Sequence, residues 1–222
     1  MSERQIQIFN DSFWPLLKAG VLYTIPLSLI SFALGLLLAV LTAMVRLYSW
    51  QVFRLIGGFY VWIIRGTPLL VQLFIIFYGL PMVGIVISPF VSAVIGFSLS
   101  VGAYGSEIVR AAIISIHKGQ WEAAYSLGMT RLQALRRIIL PQAARVSVPP
   151  LGNSFISLVK DTSLAAIITY VEMFRQAQQI VARTYEPLLL YCEAAIIYLF
   201  FSTLLSVLQN VSERRLSRYS AS

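Results

Sequence analysis

Three ionisable side chains sit in stretches that are otherwise apolar: Arg65 and the adjacent pair Lys160 and Asp161. An Arg, Lys or Asp at the centre of a membrane helix costs about 2.5–3.5 kcal/mol, so the three together cost on the order of 10 kcal/mol if left alone in lipid. They must be paired or wetted. Neighbouring helical residues point about 100° apart, so Lys160 and Asp161 do not neutralise each other across one face; one is free to face a partner subunit and the other a cavity. A zwitterion needs both signs in its site, and a buried carboxylate binds an ammonium group. Asp161 therefore reads as a substrate contact, with Ser157, Thr162 and Ser163 supplying hydroxyls. For Arg65 and Lys160 two readings stay open, a substrate contact or an internal ion pair, such as Arg65 with Asp161, that only ties helices together.

Other chemistries are poorly supplied. One cysteine (Cys192) and one histidine (His117) cannot build an intrachain disulfide or a Cys/His metal cluster. No nucleophile with a neighbouring base stands out, and no phosphate-binding G-x-x-x-x-G-K-[ST] loop occurs. An enzyme is not expected, and any use of ATP must come from a partner. Glu107 and Arg110, three apart, predict a local ion pair. Glu193 is expected near the membrane interface in a structural role, Cys192 as a small packing residue, and His117 as an interfacial side chain.

The elements that must hold these groups follow from composition. The 222 residues are 58% hydrophobic and only 12% charged, about half the charge of an ordinary soluble domain, which excludes a water-exposed globule, a disordered tail and a nucleic-acid-binding domain. An all-α membrane protein, a single domain over residues 1–222, is expected. Apolar stretches of about 20 residues, broken at Pro, Gly and charge clusters, give five spans near 18–45, 54–79, 90–114, 148–171 and 186–211. Gly66 and Pro68 are expected to interrupt the second span and free backbone groups to line a polar cavity. Pro187 suits the first turn of the last helix, and no signal peptide is expected in the polar stretch Met1 to Asp11.

The net charge of +8 is a topology signal. Arg46, Arg54, Arg110, Lys118, Arg131, Arg136, Arg137, Arg145, Arg214, Arg215 and Arg218 fall on one side of a five-span arrangement, against Arg4, Lys18, Arg175 and Arg183 on the other. The richer side is expected to be cytoplasmic, with the N terminus outside, the C terminus inside, and an attraction to acidic membrane lipid.

The polar segment 115–145 contains QWEAAYSLGMTRLQALRRIILP, from Gln120 to Pro141. Glu122, Ala123 and Ala124 favour a short helix, Gly128 a stop or sharp turn, and Thr130 with Gln133 a capping box that starts a second helix. Leu132, Leu135, Ile138 and Ile139 share one side of it. An interfacial amphipathic helix resting on lipid accounts for that pattern alone.

The spacing Glu122-Ala123-Ala124, three residues, Gly128, nine residues, Ile138-x-Leu140-Pro141 resembles the EAA loop of permease subunits from bacterial ABC importers. Arg65-Gly66-Thr67-Pro68-Leu69, Glu107-x-x-Arg110-Ala111-Ala112, Lys118 to Ala124 and Ser154 to Leu164 resemble the polar amino-acid branch of that family, and the combined text is most similar to its L-cystine permeases. The resemblance implies the type I permease fold, with five transmembrane helices and a cytoplasmic coupling helix, in the bacterial inner membrane. It implies a coupling role for Glu122, Ala123, Ala124 and Gly128 as docking and hinge positions for a separate ATPase. It also implies an extracytoplasmic solute-binding protein, a second permease subunit, identical or homologous, and ATP with magnesium held on the partner rather than on this chain. Glutamine, histidine or arginine are the alternative substrates. A small autonomous secondary transporter or channel is the competing class, which explains the charges but not the EAA spacing.

Overall fold

The computed structural model describes residues 2–218, with side chains described through residue 213; Arg214, Arg215 and Arg218 of the charge-bias argument lie outside the described side chains. Eight helices account for nearly all of it. Helix α1 runs Glu3–Tyr48, α2 Gln51–Gly66, α3 Leu69–Val83, α4 Pro89–Ser115, α5 Lys118–Ser126, α6 Arg131–Ile168, α7 Met173–Thr184 and α8 Pro187–Arg218. Three helices are long and apolar enough to cross a membrane, or up to five spans result if each of two bent pairs, α2 with α3 and α6 with α7, counts as one.

Helix α1 starts well before the expected span. Ser2 caps it through a reciprocal box with Gln5, Ser2 Oγ accepting the Gln5 N–H (3.3 Å) and the Ser2 N–H donating to Gln5 Oε1 (3.1 Å). The polar N-terminal segment is thereby helical and packs on α7 and α8 through Leu16 and Ala19. Pro26 has no amide hydrogen to return to the preceding turn, and the helix passes it by widening into a π-turn at Gly20–Thr24. A Cβ at Gly20 would lie 2.6 Å from the Phe201 ring, so glycine sets how closely α1 and α8 approach.

The main packing is α1 on α4, built from small residues. Gly35, Ala39 and Ser31 of α1 meet Val101, Gly105 and Ser98 of α4; a Cβ at Gly35 would fall 2.5 Å from Val101 Cβ, and Ser98 Oγ donates to the Ser31 carbonyl at 3.2 Å. In lipid, helices have no hydrophobic reason to separate from the bilayer, so close backbone approach and buried hydroxyl bonds take over as the source of association. Leu27, Leu73, Phe97 and Ile168 fill one core cluster, and Ala43, Val109, Ile113, Leu135 and Ile139 fill another where α1, α4 and the start of α6 converge. Arg46 is in the last turn of α1, Arg110 in the last two turns of α4 and Arg131 in the first turn of α6, and this end of the bundle is called the basic end below.

The expected interruption of the second span is present: α2 and α3 meet at 104° across Thr67-Pro68, because a residue before proline is driven to extended backbone, and Thr67 adopts φ −121°, ψ 145°. Other sequence expectations change. The segment after Gly128 is not a separate short helix but the first turns of α6, which runs without interruption into the expected fourth span. Within it Leu135 and Ile139 are buried, while Leu132 is 63% exposed and does not share their side. The stretch between the last two spans, left without structure by its low hydropathy, forms α7. Thr169 and Tyr185, rather than glycines, take the left-handed conformations that bound that region.

Candidate functional site

The segment joining α4 to α6 is folded tightly against the basic end. His117 caps α5 by accepting the Gly119 N–H on Nδ1 at 3.1 Å. Gly128 has φ +74°, the left-handed region that side chains with a Cβ rarely adopt, and the turn closes by Met129 N–H donating to the Ala124 carbonyl at 3.1 Å. The capping box expected at Thr130 is present: Thr130 Oγ1 accepts the Gln133 N–H (3.3 Å) and Gln133 Oε1 the Thr130 N–H (2.8 Å). Glu122, Ala123 and Gly128 are exposed, whereas Ala124 is buried. Leu127, 77% exposed, adds an apolar side chain that sequence reasoning had not singled out. Gln142 Nε2 donates to Gln120 Oε1 at 3.0 Å, and the Arg131 guanidinium lies over the Tyr48 ring, 5.3 Å from its centroid. The segment is thus fastened both to α6 and to the end of α1.

An open cavity of about 590 Å³ between α2, α4 and α6 is lined by Arg65, Tyr104, Glu107, Ser154, Ser157 and Asp161, among others, and Asp161, expected to be a buried carboxylate, is exposed on its wall. Its volume is in the range of small-molecule sites, about 300–1,000 Å³. Asp161 makes no ion pair among the described residues. Arg65 does not pair with it; the guanidinium lies over the Tyr104 ring, 5.2 Å from the centroid, and 3.8 Å from Glu107 Oε1. Glu107 also accepts from Arg46, and from Arg110 Nε (3.1 Å) and Nη2 (2.8 Å), so the expected Glu107–Arg110 pair is one edge of a larger cluster. Three guanidiniums around one carboxylate leave the Arg65 end of the cavity positive, while Asp161 supplies an unneutralised negative group elsewhere on its wall.

The six sequence-predicted path residues divide. Arg65, Ser157 and Asp161 line the same cavity. Lys160 and Ser163 line a different one, about 440 Å³, walled by Phe174, Tyr191 and Tyr198, and Ser163 Oγ donates to the Lys160 carbonyl at 2.8 Å. Thr162 lines neither; it is fully buried, its hydroxyl donating to the Val159 carbonyl at 2.7 Å. Lys160 and Asp161 do diverge to separate cavities, as adjacent helical positions must.

Several contributing residues had not been assigned from sequence. Gln72 staples the α2–α3 break: its Nε2 donates to the Ile64 carbonyl (2.8 Å), the Thr67 carbonyl (3.1 Å) and Thr67 Oγ1 (2.9 Å), while Thr67 Oγ1 donates to the Ile63 carbonyl (2.8 Å). The freed carbonyls are therefore occupied by side chains rather than left to the cavity. Glu172, fully buried, caps α7 by accepting the Phe174 and Arg175 N–H groups (2.9 and 2.7 Å) and the Tyr198 hydroxyl (2.8 Å), tying α7 to α8. Glu193 is 1% exposed and accepts the Ser12 hydroxyl at 2.6 Å, a structural contact between α8 and α1. Cys192 is exposed rather than packed within the chain. The acid before a short amphipathic helix was a readable signal for Glu172; nothing local marks Gln72, whose partners come from a break five residues earlier.

Residues 33–218, which include the motif-bearing segment, are matched by a family model described as "binding-protein-dependent transport system inner membrane component". The chain belongs to this family. It is a membrane transport component, and its curated relatives are permease proteins rather than enzymes. It is 56% identical over 215 residues to the L-cystine transport system permease protein TcyB of Bacillus subtilis (strain 168), covering 96% of this chain and 92% of that protein. It is 38% identical to the glutamine transport system permease protein GlnP of Escherichia coli (strain K12), over 91% and 93% of the two chains. A crystal structure of an amino acid ABC transporter with histidines superposes at TM-score 0.90 and 35% identity, covering 97% of this chain and 100% of that one. The fold is that of these permeases.

Proposed function

We propose that this chain is the permease subunit of an ATP-driven importer of L-cystine, crossing the bacterial inner membrane five times with the basic end, and the C terminus, in the cytoplasm and the N terminus outside. The 56% identity to an L-cystine permease along nearly the whole chain is the observation that carries the substrate. The predominance of Arg on the segments at the basic end supports the orientation.

In this reading the cavity between α2, α4 and α6 is the substrate path. A cystine ammonium group neutralises Asp161, a carboxylate meets the Arg65 end, and Ser154 and Ser157 offer hydroxyls between them; α-amino and α-carboxyl groups at both halves of cystine match a wall that carries both signs. Thr162 fixes the turn after Asp161. The exposed Glu122, Ala123, Gly128 and Leu127 form the coupling surface against an ATPase, which holds ATP and magnesium. A second permease subunit completes the path and a solute-binding protein delivers substrate to its outer mouth. When the ATPases associate on ATP binding, force on α5 passes through the Gln120–Gln142 bond and the α1–α4–α6 core cluster into α6, whose far end carries Asp161.

The test is competition uptake by the reconstituted complex. Unlabelled cystine displacing labelled cystine at far lower concentration than glutamine, histidine or arginine supports the substrate; preference for any of those three replaces it. Cystine uptake by the chain alone in liposomes, without an ATPase, would refute the importer-subunit reading.

A further inference from the structure

A second charged cavity lies at the basic end, on the opposite side of the Glu107 cluster from the transport path. It is an open recess of about 500 Å³ between the last turn of α1, the first two turns of α2 and the inner end of α4, and Arg46, Arg54, Arg110, Gln51 and Gly58 are on its wall. Glu107 is the carboxylate bound to Arg46 and Arg110, and it is shared with Arg65. Arg54 has only the Ser49 carbonyl, at 3.2 Å, as a partner among the described residues. A guanidinium carries several N–H donors in a planar fork suited to phosphate oxygens, so this wall holds more positive charge and more donors than its own residues satisfy.

Two features make it a built cavity rather than a scatter of surface arginines. Gly57 lets the Arg46 stem lie across α2, since a Cβ there would be 3.1 Å from Arg46 Cγ, and Gly58 leaves the floor open, with nothing within 4 Å of where its Cβ would be. The surroundings are apolar on the side that continues along α2: Leu55, Phe59 and Trp62, at i, i+4 and i+7, share one helix face next to Gly58 and are each more than half exposed. A cationic pocket at the end of membrane helices, continuous with an apolar helix face, matches an anionic headgroup with its acyl chains attached.

We propose that this cavity binds the phosphate of an anionic phospholipid, drawn in the proposed orientation from the inner leaflet, with Arg54, Arg46 and Arg110 as its ligands. Occupation balances the charge around Glu107 on the side away from the substrate cavity. The phosphate chemistry is shared with free inorganic phosphate; the apolar face of α2 argues for the lipid.

The experiment uses the full chain in a neutral detergent, with bound lipid counted by native mass spectrometry in the presence of phosphatidylglycerol, phosphatidylcholine or inorganic phosphate at equal concentration. Retention of one phosphatidylglycerol and no phosphatidylcholine is expected. Arg54→Gln weakens retention about fivefold, the contribution of one Arg to anionic-lipid binding, and Gly58→Leu, which fills the floor without changing charge, abolishes it. Arg137→Gln, an equal charge loss outside the cavity, leaves retention unchanged. Wild-type retention in both cavity variants overturns the site, as does equal retention of phosphatidylcholine or an equal loss in Arg137→Gln. Displacement of phosphatidylglycerol by equimolar inorganic phosphate overturns the lipid as occupant. The readout is independent of membrane orientation and of what the permease transports.

Discussion

Gly128 separates a folding role from a docking role. Its φ of +74° is adopted by asparagine at little cost but strains a β-branched residue by roughly 1–2 kcal/mol. A Cβ at this position meets nothing within 4 Å, so no clash inside the chain adds to that strain. In the free chain Gly128→Asn should therefore unfold at nearly the wild-type temperature, and Gly128→Val should lose stability by about the same 1–2 kcal/mol. If Gly128 serves docking, the ranking differs in the complex. Asn, Asp and Val all place bulk on an exposed surface beside Glu122 and Leu127, and each should reduce ATPase stimulation by the substrate-loaded binding protein at least tenfold, a loss of about 1.4 kcal/mol in coupling. Thermal unfolding of the detergent-solubilised chain measures the first quantity, and phosphate release by the reconstituted complex the second. Near-wild-type stimulation in Gly128→Asn, with loss confined to Gly128→Val, would show that backbone strain alone is at stake and would refute the docking assignment.

Asp161→Asn should reduce cystine uptake at least tenfold while the complex still assembles, and Lys160→Gln, in the other cavity, should reduce it less than threefold; flux measurements that rank the two oppositely would move the path to the Lys160 side. Gln72→Leu strips partners from the Ile64 and Thr67 carbonyls and should destabilise the chain by roughly 1–3 kcal/mol, measured as a lower unfolding temperature. An unchanged transition would mean that water satisfies the break. Glu107→Gln leaves the Arg46, Arg65 and Arg110 guanidiniums without their carboxylate and should lower the unfolding temperature, with part of the loss recovered at high salt as their repulsion is screened.

The sequence made some parts of this arrangement legible and concealed others for identifiable reasons. The capping box at Thr130, the turn at Gly128, the start of α8 at Pro187 and the Glu107–Arg110 pair are local, spanning a few residues, and each appears where the spacing put it. Division of Lys160 from Asp161 was also readable, because it follows from helical geometry alone. The same geometry groups Ser154, Ser157 and Asp161 on one face of α6 and puts Lys160 with Ser163 on another. What hydropathy missed was structure in polar segments: the first turns of α1, and α7, whose one apolar stripe is buried through Met173 and Ala177 while its mean hydropathy stays low. Pairings across the bundle, such as Arg65 with Glu107 in place of Asp161, or Ser12 with Glu193, join positions far apart in the chain and had no local signal at all.

The continuity of α6 has a mechanical consequence that separate helices would not have. Residues next to the Gly128 turn and the carboxylate of Asp161 belong to one helix, roughly 45 Å apart along its axis at 1.5 Å per residue. A helix that length transmits displacement well only if it neither bends nor slips. Pro149 and Pro150, each lacking an amide hydrogen, weaken it midway, and there Gln209 of α8 donates to the Pro149 carbonyl at 3.1 Å and to Asn153 Oδ1 at 3.2 Å. A Cβ at Gly152 would lie 2.7 Å from the same Gln209 side chain, so α8 is seated directly against the weak point. Motion imposed at the basic end must then either carry α8 along or break these bonds. Gln209→Leu distinguishes the two: it removes the donor while keeping an apolar side chain against Gly152. If α6 and α8 move as a unit, the variant should hydrolyse ATP in response to loaded binding protein as before but move less substrate per ATP. An unchanged ratio of uptake to hydrolysis would show that α6 works as a lever without α8 bracing it.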